Sequence, residues 1–280
     1  MNENKQEMLI DQARGCRTNV LKMTNHVGAG HVGGSLSEIE ILTSLYFSVM
    51  DIDPKNPNKP DRDRFILSKG HSSAGYYSVL AARGYFDESV LYTFDQMGSP
   101  LQAHPDMHKC KGVDYSTGSL GQGLSIGIGM VTAGAMKGFN FKAFVLIGDG
   151  EAQEGQIWEA LMYAGSQKTK NIIAIFDYNR VQLSSTMDEN VDIGPLADKL
   201  KAFNFEVIEA MGNDICDIEP VLQKAKTMSE QGPVAVIAHT KKGAGVSFME
   251  GKCAWHGKAP NNEELRMALE EVDGGKNNGI

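Results

Sequence analysis

The chain has 280 residues, 41% hydrophobic and 22% charged, with a formal net charge of −8; this excludes a disordered or membrane-spanning polymer and fits one large domain with a well-buried core. The acidic balance, without any block of Lys or Arg, argues against a nucleic-acid surface, so an anionic ligand needs local donors. Cys16, Cys110, Cys216 and Cys253 lie far apart with no C-x-x-C pair, and the first residues lack an apolar signal core; neither disulfides nor a zinc site is expected, and the cytoplasm is the expected compartment.

Apolar residues recur at helical spacing through 4–25 and again through 37–50, where Ser37 is the expected N-cap. RFILS (64–68) is a short apolar strand ending at Lys69-Gly70-His71, and 72–84 follows as a helix. Residues 121–138 are small and apolar, and the spacing predicts a buried, closely packed helix. A regular alternation comes next: strand 142–147, helix 155–167, strand 171–178, helix 195–203, strand 205–210, helix 217–230 and strand 233–240. Strands apolar throughout and separated by amphipathic helices imply an α/β fold, a doubly wound, mainly parallel sheet with helices on both faces. Residues 1–270 read as a single domain without an internal linker, and 271–280 as a flexible tail.

The loop Gly148-Asp149-Gly150 sits between the strand ending at 147 and a helix. It lacks the third glycine of the dinucleotide fingerprint and carries Asp149, Glu151 and Glu154 within six residues, which argues against a nicotinamide cofactor. Carboxylates repel a bare diphosphate, so a cation must intervene. Ligands of open parallel sheets bind at the carboxyl ends of strands. Asp149 lies there, and Asn179 lies at the end of the next strand. A carboxylate and an amide oxygen are hard ligands suited to Mg²⁺ or Ca²⁺, and the metal reverses the sign of the loop for a phosphate. The glycines let a ligand approach the backbone, and the helix start adds N–H donors. His31, His71, His104 and His256 occupy glycine-rich loops after apolar segments, where a site at strand ends is built. His26, His108 and His239 lack that context and read as ordinary surface or core residues.

GDGEAQEG (148–155) followed by DYNRVQLS (177–184) resembles the thiamine diphosphate motif. GAGHVGGSLS (28–37), DRDRFILSKGHSSAGYY (61–77), AHPD (103–106), STGSLGQGLSIGIGM (116–130) and AWHGKAP (254–260) resemble the amino-terminal half of transketolases, over nearly the whole chain. The resemblance implies a metal held by Asp149, Asn179 and the Val181 carbonyl. It implies cofactor contacts from His71, Gly118, Ser119, Leu120, Gly148, Asp149, Gly150, Glu151 and Asn179, with Lys69 and Lys242 reaching diphosphate or substrate. His31, His71, His104 and His256 would line the channel to the thiazolium ring, and Glu154 would stand near a subunit interface. The implied reaction is transfer of a two-carbon glycolaldehyde unit from a ketose to an aldose, with sugars or sugar phosphates as substrates. Single-chain transketolases are more than twice as long, and only 24 residues follow His256. A carboxy-terminal partner polypeptide is therefore expected, most simply in an α₂β₂ assembly. Two rivals are the α subunit of a 2-oxo acid dehydrogenase first component, which shares the G-D-G and Asn motif, and a non-catalytic thiamine diphosphate-binding module.

Overall fold

The computed structural model describes residues 2–274. Helix α1 (Glu3–Val27) opens with the Asn2 side chain accepting from Lys5 N at 2.9 Å and closes at Gly28, whose φ of 72° is the left-handed turn that glycine allows. Two short helices follow, α2 (Val32–Ser37) and α3 (Ile39–Ser44), and then a π-helical turn, Leu45–Val49. The single helix expected over 37–50 is thus broken at Glu38, and Ser37 ends a helix instead of capping one. The reason is tertiary: the Ser37 hydroxyl donates to Asp177 at 2.6 Å and the Glu38 carboxylate meets Lys69.

Strand β1 (Arg64–Leu67) leads into helix α4 (Ser73–Arg83), and helix α5 (Gly123–Met136) precedes β2 (Ala143–Gly148). Then come α6 (Gly155–Ser166), β3 (Ile172–Tyr178), α7 (Leu196–Ala202), β4 (Glu206–Met211), α8 (Ile215–Met228), β5 (Val234–His239) and α9 (Asn262–Gly274). The five strands pair in the order β1-β2-β3-β5-β4, every pairing parallel. Helices cover both faces, as the unbroken apolar strands require.

Alternate residues serve the two cores, because successive side chains of a strand point to opposite faces. Phe144, Leu146, Ile173, Ile175, Val234 and Val236 pack beneath α1, α3, α4 and α8. Ala143, Val145, Ile147, Ile172, Ala174 and Phe176 pack against α5, α6 and α7. Two expectations need correction here. Helix α5 is not buried all round: Thr132 and Ala133 are exposed and Met136 is 85% exposed. The end of the chain is ordered further than 270, since α9 runs to Gly274 with Val272 buried. Of the expected tail, residues 275–280 lie outside the described residues.

Candidate active site

The carboxyl ends of β1, β2, β3 and β5 converge, and the register sets Gly148 beside Asp177 and Asp177 beside Ala238. Asp149 therefore follows β2 directly next to the segment that carries Asn179. Asp149 is buried, and its oxygens accept only from backbone: Oδ1 from Gly150 N at 2.7 Å and Oδ2 from Arg180 N. Arg180 takes a left-handed φ of 61° to bring that N–H round. Burial pushes the Asp149 carboxyl up to about 6, with the nearby Asp177 charge adding to the rise. The Asn179 amide nitrogen donates to Ser37 Oγ at 3.2 Å and Asp177 Oδ2 at 3.1 Å, while its oxygen accepts from Val181 N at 3.0 Å. One buried carboxylate without a cationic partner, one oriented amide and the Val181 carbonyl form a hard oxygen set that fits a divalent cation. Among the described residues no group of three His, Cys, Asp or Glu side chains is placed to hold a metal.

Three of the four expected histidines meet. Ring centroids lie 5.0 Å apart for His31 and His71, 5.4 Å for His31 and His256, and 5.1 Å for His71 and His256, the last pair stacked. His31 enters just ahead of α2, His71 from the turn after β1, and His256 from the segment after Trp255. Burial lowers His71 to about 2, helped by Lys69, and lowers His256 to about 3, helped by Lys242. Burial also lowers His31, with His104 contributing. All three imidazoles are thus neutral near pH 7 and serve as hydrogen-bond donors or acceptors rather than as cations. His104 stands at the exposed rim over Gly118, where a Cβ would sit 3.3 Å from its ring; the φ of 147° at Gly118 likewise demands glycine. Ser119 is exposed and Leu120 half-buried beside it.

Two expected cofactor contacts, Lys69 and Glu151, are turned inward. Lys69 is buried, and its ammonium is spent inward on Asp177 Oδ2 at 2.5 Å, Glu38 Oε2 at 2.6 Å and the Gly34 carbonyl at 3.3 Å. It holds the floor of the site and has no proton left for a diphosphate. Glu151 is buried too; Oε1 accepts from Ser68 Oγ at 2.5 Å and Gly121 N at 2.8 Å, and Oε2 from Gly148 N at 3.0 Å. Its carboxylate braces three loops together instead of facing a cofactor. Glu154 lies outside the histidine cluster: it is exposed, without a hydrogen bond or ion pair to its carboxylate among the described residues, and it packs against Gly121. Lys242, by contrast, is in the site, with Nζ 2.6 Å from His256 Nδ1 and 2.8 Å from the Val181 carbonyl.

The two carboxylates of the floor, Asp177 and Glu38, carry no assigned role in the sequence reading, although Asp177 opens the motif DYNRVQLS. Burial raises Asp177, but Lys69, Ser37 and Thr240 more than offset it and keep its carboxyl below the usual range. Burial likewise pushes Glu38 up to about 7, against the pull of Lys69. The signal is present in IIAIFDY: one carboxylate inside an otherwise apolar, doubly covered strand must have a buried partner. His26 and His108 are exposed and His239 is half-buried, His26 edge-on to Tyr92 and His239 paired with Glu209.

Residues 9–274 match the family described as transketolase, thiamine diphosphate binding domain. The chain belongs to the transketolase family. Within that family it is similar to an apulose-4-phosphate transketolase subunit of Actinobacillus succinogenes, at 42% identity over 94% of this chain and 95% of the relative. It is 41% identical to a 6-deoxy-6-sulfo-D-fructose transketolase subunit of a Clostridium species, over 95% of this chain and 96% of the relative. Human transketolase is 33% identical over 96% of this chain, which spans 43% of that longer protein. The crystal structure of transketolase from Campylobacter jejuni superposes with a TM-score of 0.89 at 30% identity, covering 98% of this chain and 43% of the other. Membership of the transketolase family decides between ketol transfer and 2-oxo acid decarboxylation in favour of the former.

Proposed function

We propose that the chain is the amino-terminal subunit of a two-polypeptide transketolase, transferring a glycolaldehyde unit from a ketose or its phosphate to an aldose or its phosphate. The observation that carries this reading is the meeting of three neutral imidazoles, one of them joined through Lys242 to the Val181 carbonyl two residues after Asn179, at the carboxyl ends of one parallel sheet. Asp149, the Asn179 amide oxygen and the Val181 carbonyl would hold a divalent cation, Mg²⁺ in this proposal. Thiamine diphosphate, when bound, supplies the carbon nucleophile and electron sink for breaking and forming the sugar carbon–carbon bond. This chain's part is to seat the diphosphate end against Gly148, Asp149 and Gly150, and to line the approach with Gly118, Ser119 and Leu120. His31, His71, His104 and His256 then hold the sugar hydroxyls and pass their protons.

The requirement for a second polypeptide is supported by the relatives, which are named as subunits. The chain spans 95% of the Actinobacillus relative, itself named as one subunit of a transketolase, but 43% of the single-chain human enzyme. A carboxy-terminal subunit would bring the remainder, in an α₂β₂ assembly in which Glu154 stands near the subunit contact. The donor sugars proposed include, besides pentose-pathway ketose phosphates, those in the relatives' names, apulose 4-phosphate and 6-deoxy-6-sulfofructose. A cytoplasmic location is proposed from the four free cysteines; no helix among the described residues is long and apolar enough to cross a membrane.

The test is reconstitution. With Mg²⁺ and thiamine diphosphate the purified chain should show no ketol transfer, and adding the carboxy-terminal subunit should produce it. Full activity from the chain alone would overturn the split reading. In the assembled enzyme Asp149→Ala should abolish retention of the cofactor on calorimetry, and unchanged binding would remove Asp149 from the metal site.

A further inference from the structure

Glu151 opens the single turn Glu151–Gln153 after the Gly148-Asp149-Gly150 loop and is 3% exposed. Its two oxygens serve different elements. Oε2 accepts from the N–H of Gly148, the last residue of β2, at 3.0 Å. Oε1 accepts from the N–H of Gly121, two residues ahead of α5, at 2.8 Å, and meets Ser68 Oγ, just past β1, at 2.5 Å. Ser68 Oγ in turn accepts from Gly123 N, the first residue of α5, at 3.2 Å. An amide N–H can only donate, so each carboxylate oxygen must accept one, whichever partner holds the proton between Ser68 and Glu151. The same two segments touch again nearer the histidines, where a Cβ at Gly70 would lie 2.5 Å from Thr117 Oγ1 and 3.0 Å from Gly118 N. At its other end the loop is held by Thr117 N, which donates to Pro105 O at 3.1 Å. Between these anchors Gly118 and Ser119 are exposed, and the N–H groups of Gly118, Ser119 and Leu120 have no partner among the described residues.

We propose that Glu151 is a positioning residue that sets the distance between the metal loop and the loop Gly118–Leu120 before any ligand arrives, so that the cofactor meets a preformed seat. This rests on the reading of both loops as parts of the thiamine diphosphate site. One planar group with two oxygens at a fixed separation spans the two loops, and no neighbouring side chain duplicates the link to Gly121 N. Without it the exposed loop would be ordered only as the ligand binds, and that cost is subtracted from affinity. A ligand touching both loops bears the cost. A ligand held by the metal loop alone does not.

The first test needs neither ligand nor partner. In amide hydrogen exchange on the full chain, Gly121 and Gly148 should be protected like the strand amides, while Gly118 and Ser119 exchange freely. Free exchange at Gly121 would overturn the proposal without any variant. Glu151→Gln fills the same space but sets an NH₂ against one of the two donors, so Gly121 or Gly148 should exchange about tenfold faster or more. In the reconstituted enzyme with Mg²⁺, Glu151→Gln should weaken thiamine diphosphate about tenfold on calorimetry and leave inorganic pyrophosphate within about twofold. A merely structural role would lower the urea midpoint without separating the two ligands. Equal weakening of both, or of neither, in folded Glu151→Gln would overturn the proposal. Ser68→Ala, which removes only the arm from β1, is the second variant, and should weaken thiamine diphosphate alone by about threefold. An unchanged affinity there, with Glu151→Gln unfolded, would also overturn it. If the wild-type enzyme bound neither ligand, the reading of the site would fall, whatever the exchange result.

Discussion

At the scale of single residues, the site is built from charges that the fold has made uncomfortable. Asp149 has a carboxyl raised from 3.8 to about 6 by burial, on the order of 3 kcal/mol at neutral pH. The sign follows from linkage: the folded carboxyl binds its proton more tightly than the unfolded one, so the penalty is full above about pH 6 and is relieved as pH falls through that value. A divalent cation cancels the penalty only where the group is ionised. Mg²⁺ with thiamine diphosphate should therefore raise the melting temperature strongly at pH 7.5 and little at pH 5, in scanning fluorimetry of the chain; an equal rise at both would contradict the role. Lys69 gives a second prediction. Glu38 and Asp177 are both fully enclosed and share its one ammonium. Lys69→Met leaves two buried carboxylates unpaired and should destabilise by about 3–5 kcal/mol in urea unfolding. In the sequence Lys69 is expected as a ligand contact through the family resemblance alone. Only three-dimensional pairing shows that its partners, 31 residues back and 108 residues on, have taken it; pairing of that range leaves no periodic trace.

At the scale of elements, the five strands are legible because continuous apolar runs such as AFVLIG and VAVIAH have only one comfortable place, the middle of a doubly covered parallel sheet. The placement of Asp149 and Asn179 side by side is legible for the same reason, since they end two such runs. Breaks in helices are not. Residues 37–50 carry an uninterrupted helical pattern, and the break at Glu38 is made by buried polar contacts to Asp177 of β3 and to Lys69, just past β1. Helix α5 reads as buried from its small apolar residues, yet those residues bury only the face toward the sheet: Gly127 admits Val145 Cγ2 where a Cβ would be 2.7 Å away. Close approach has its extreme in α6. A Cβ at Gly165 would fall 1.6 Å from the Phe203 carbonyl oxygen, at the end of α7. Backbone cannot rotate aside as a side chain can, so the gain in helix propensity from Gly165→Ala, about 1 kcal/mol, is outweighed by separating the two helices. The variant should lose about 1–3 kcal/mol in urea unfolding, and a stabilised Gly165→Ala would mean that α7 moves freely.

At the scale of the whole molecule, the proposed site would hold one end of its ligand. The proposed metal ligand Asp149 and the buried floor sit deep at the strand ends, where Asp149 and Asp177 are nearly inaccessible. The far side is open: His104, Gly118 and Ser119 are exposed. A site of this shape would grip a diphosphate and leave the aromatic end of a larger ligand in solvent until the proposed second subunit covers it. Binding energy should divide accordingly. The isolated chain with Mg²⁺ should bind inorganic pyrophosphate and thiamine diphosphate with Kd values within about tenfold of each other, a difference of about 1.4 kcal/mol. Once the carboxy-terminal subunit is added, thiamine diphosphate should tighten by about a hundredfold or more, about 2.7 kcal/mol, while pyrophosphate stays nearly where it was. Calorimetric titration of both ligands, with and without the second subunit, separates the terms. If thiamine diphosphate already bound the isolated chain a hundredfold tighter than pyrophosphate, this chain would hold the rings by itself, and the case for a site shared between two polypeptides would lose its physical basis.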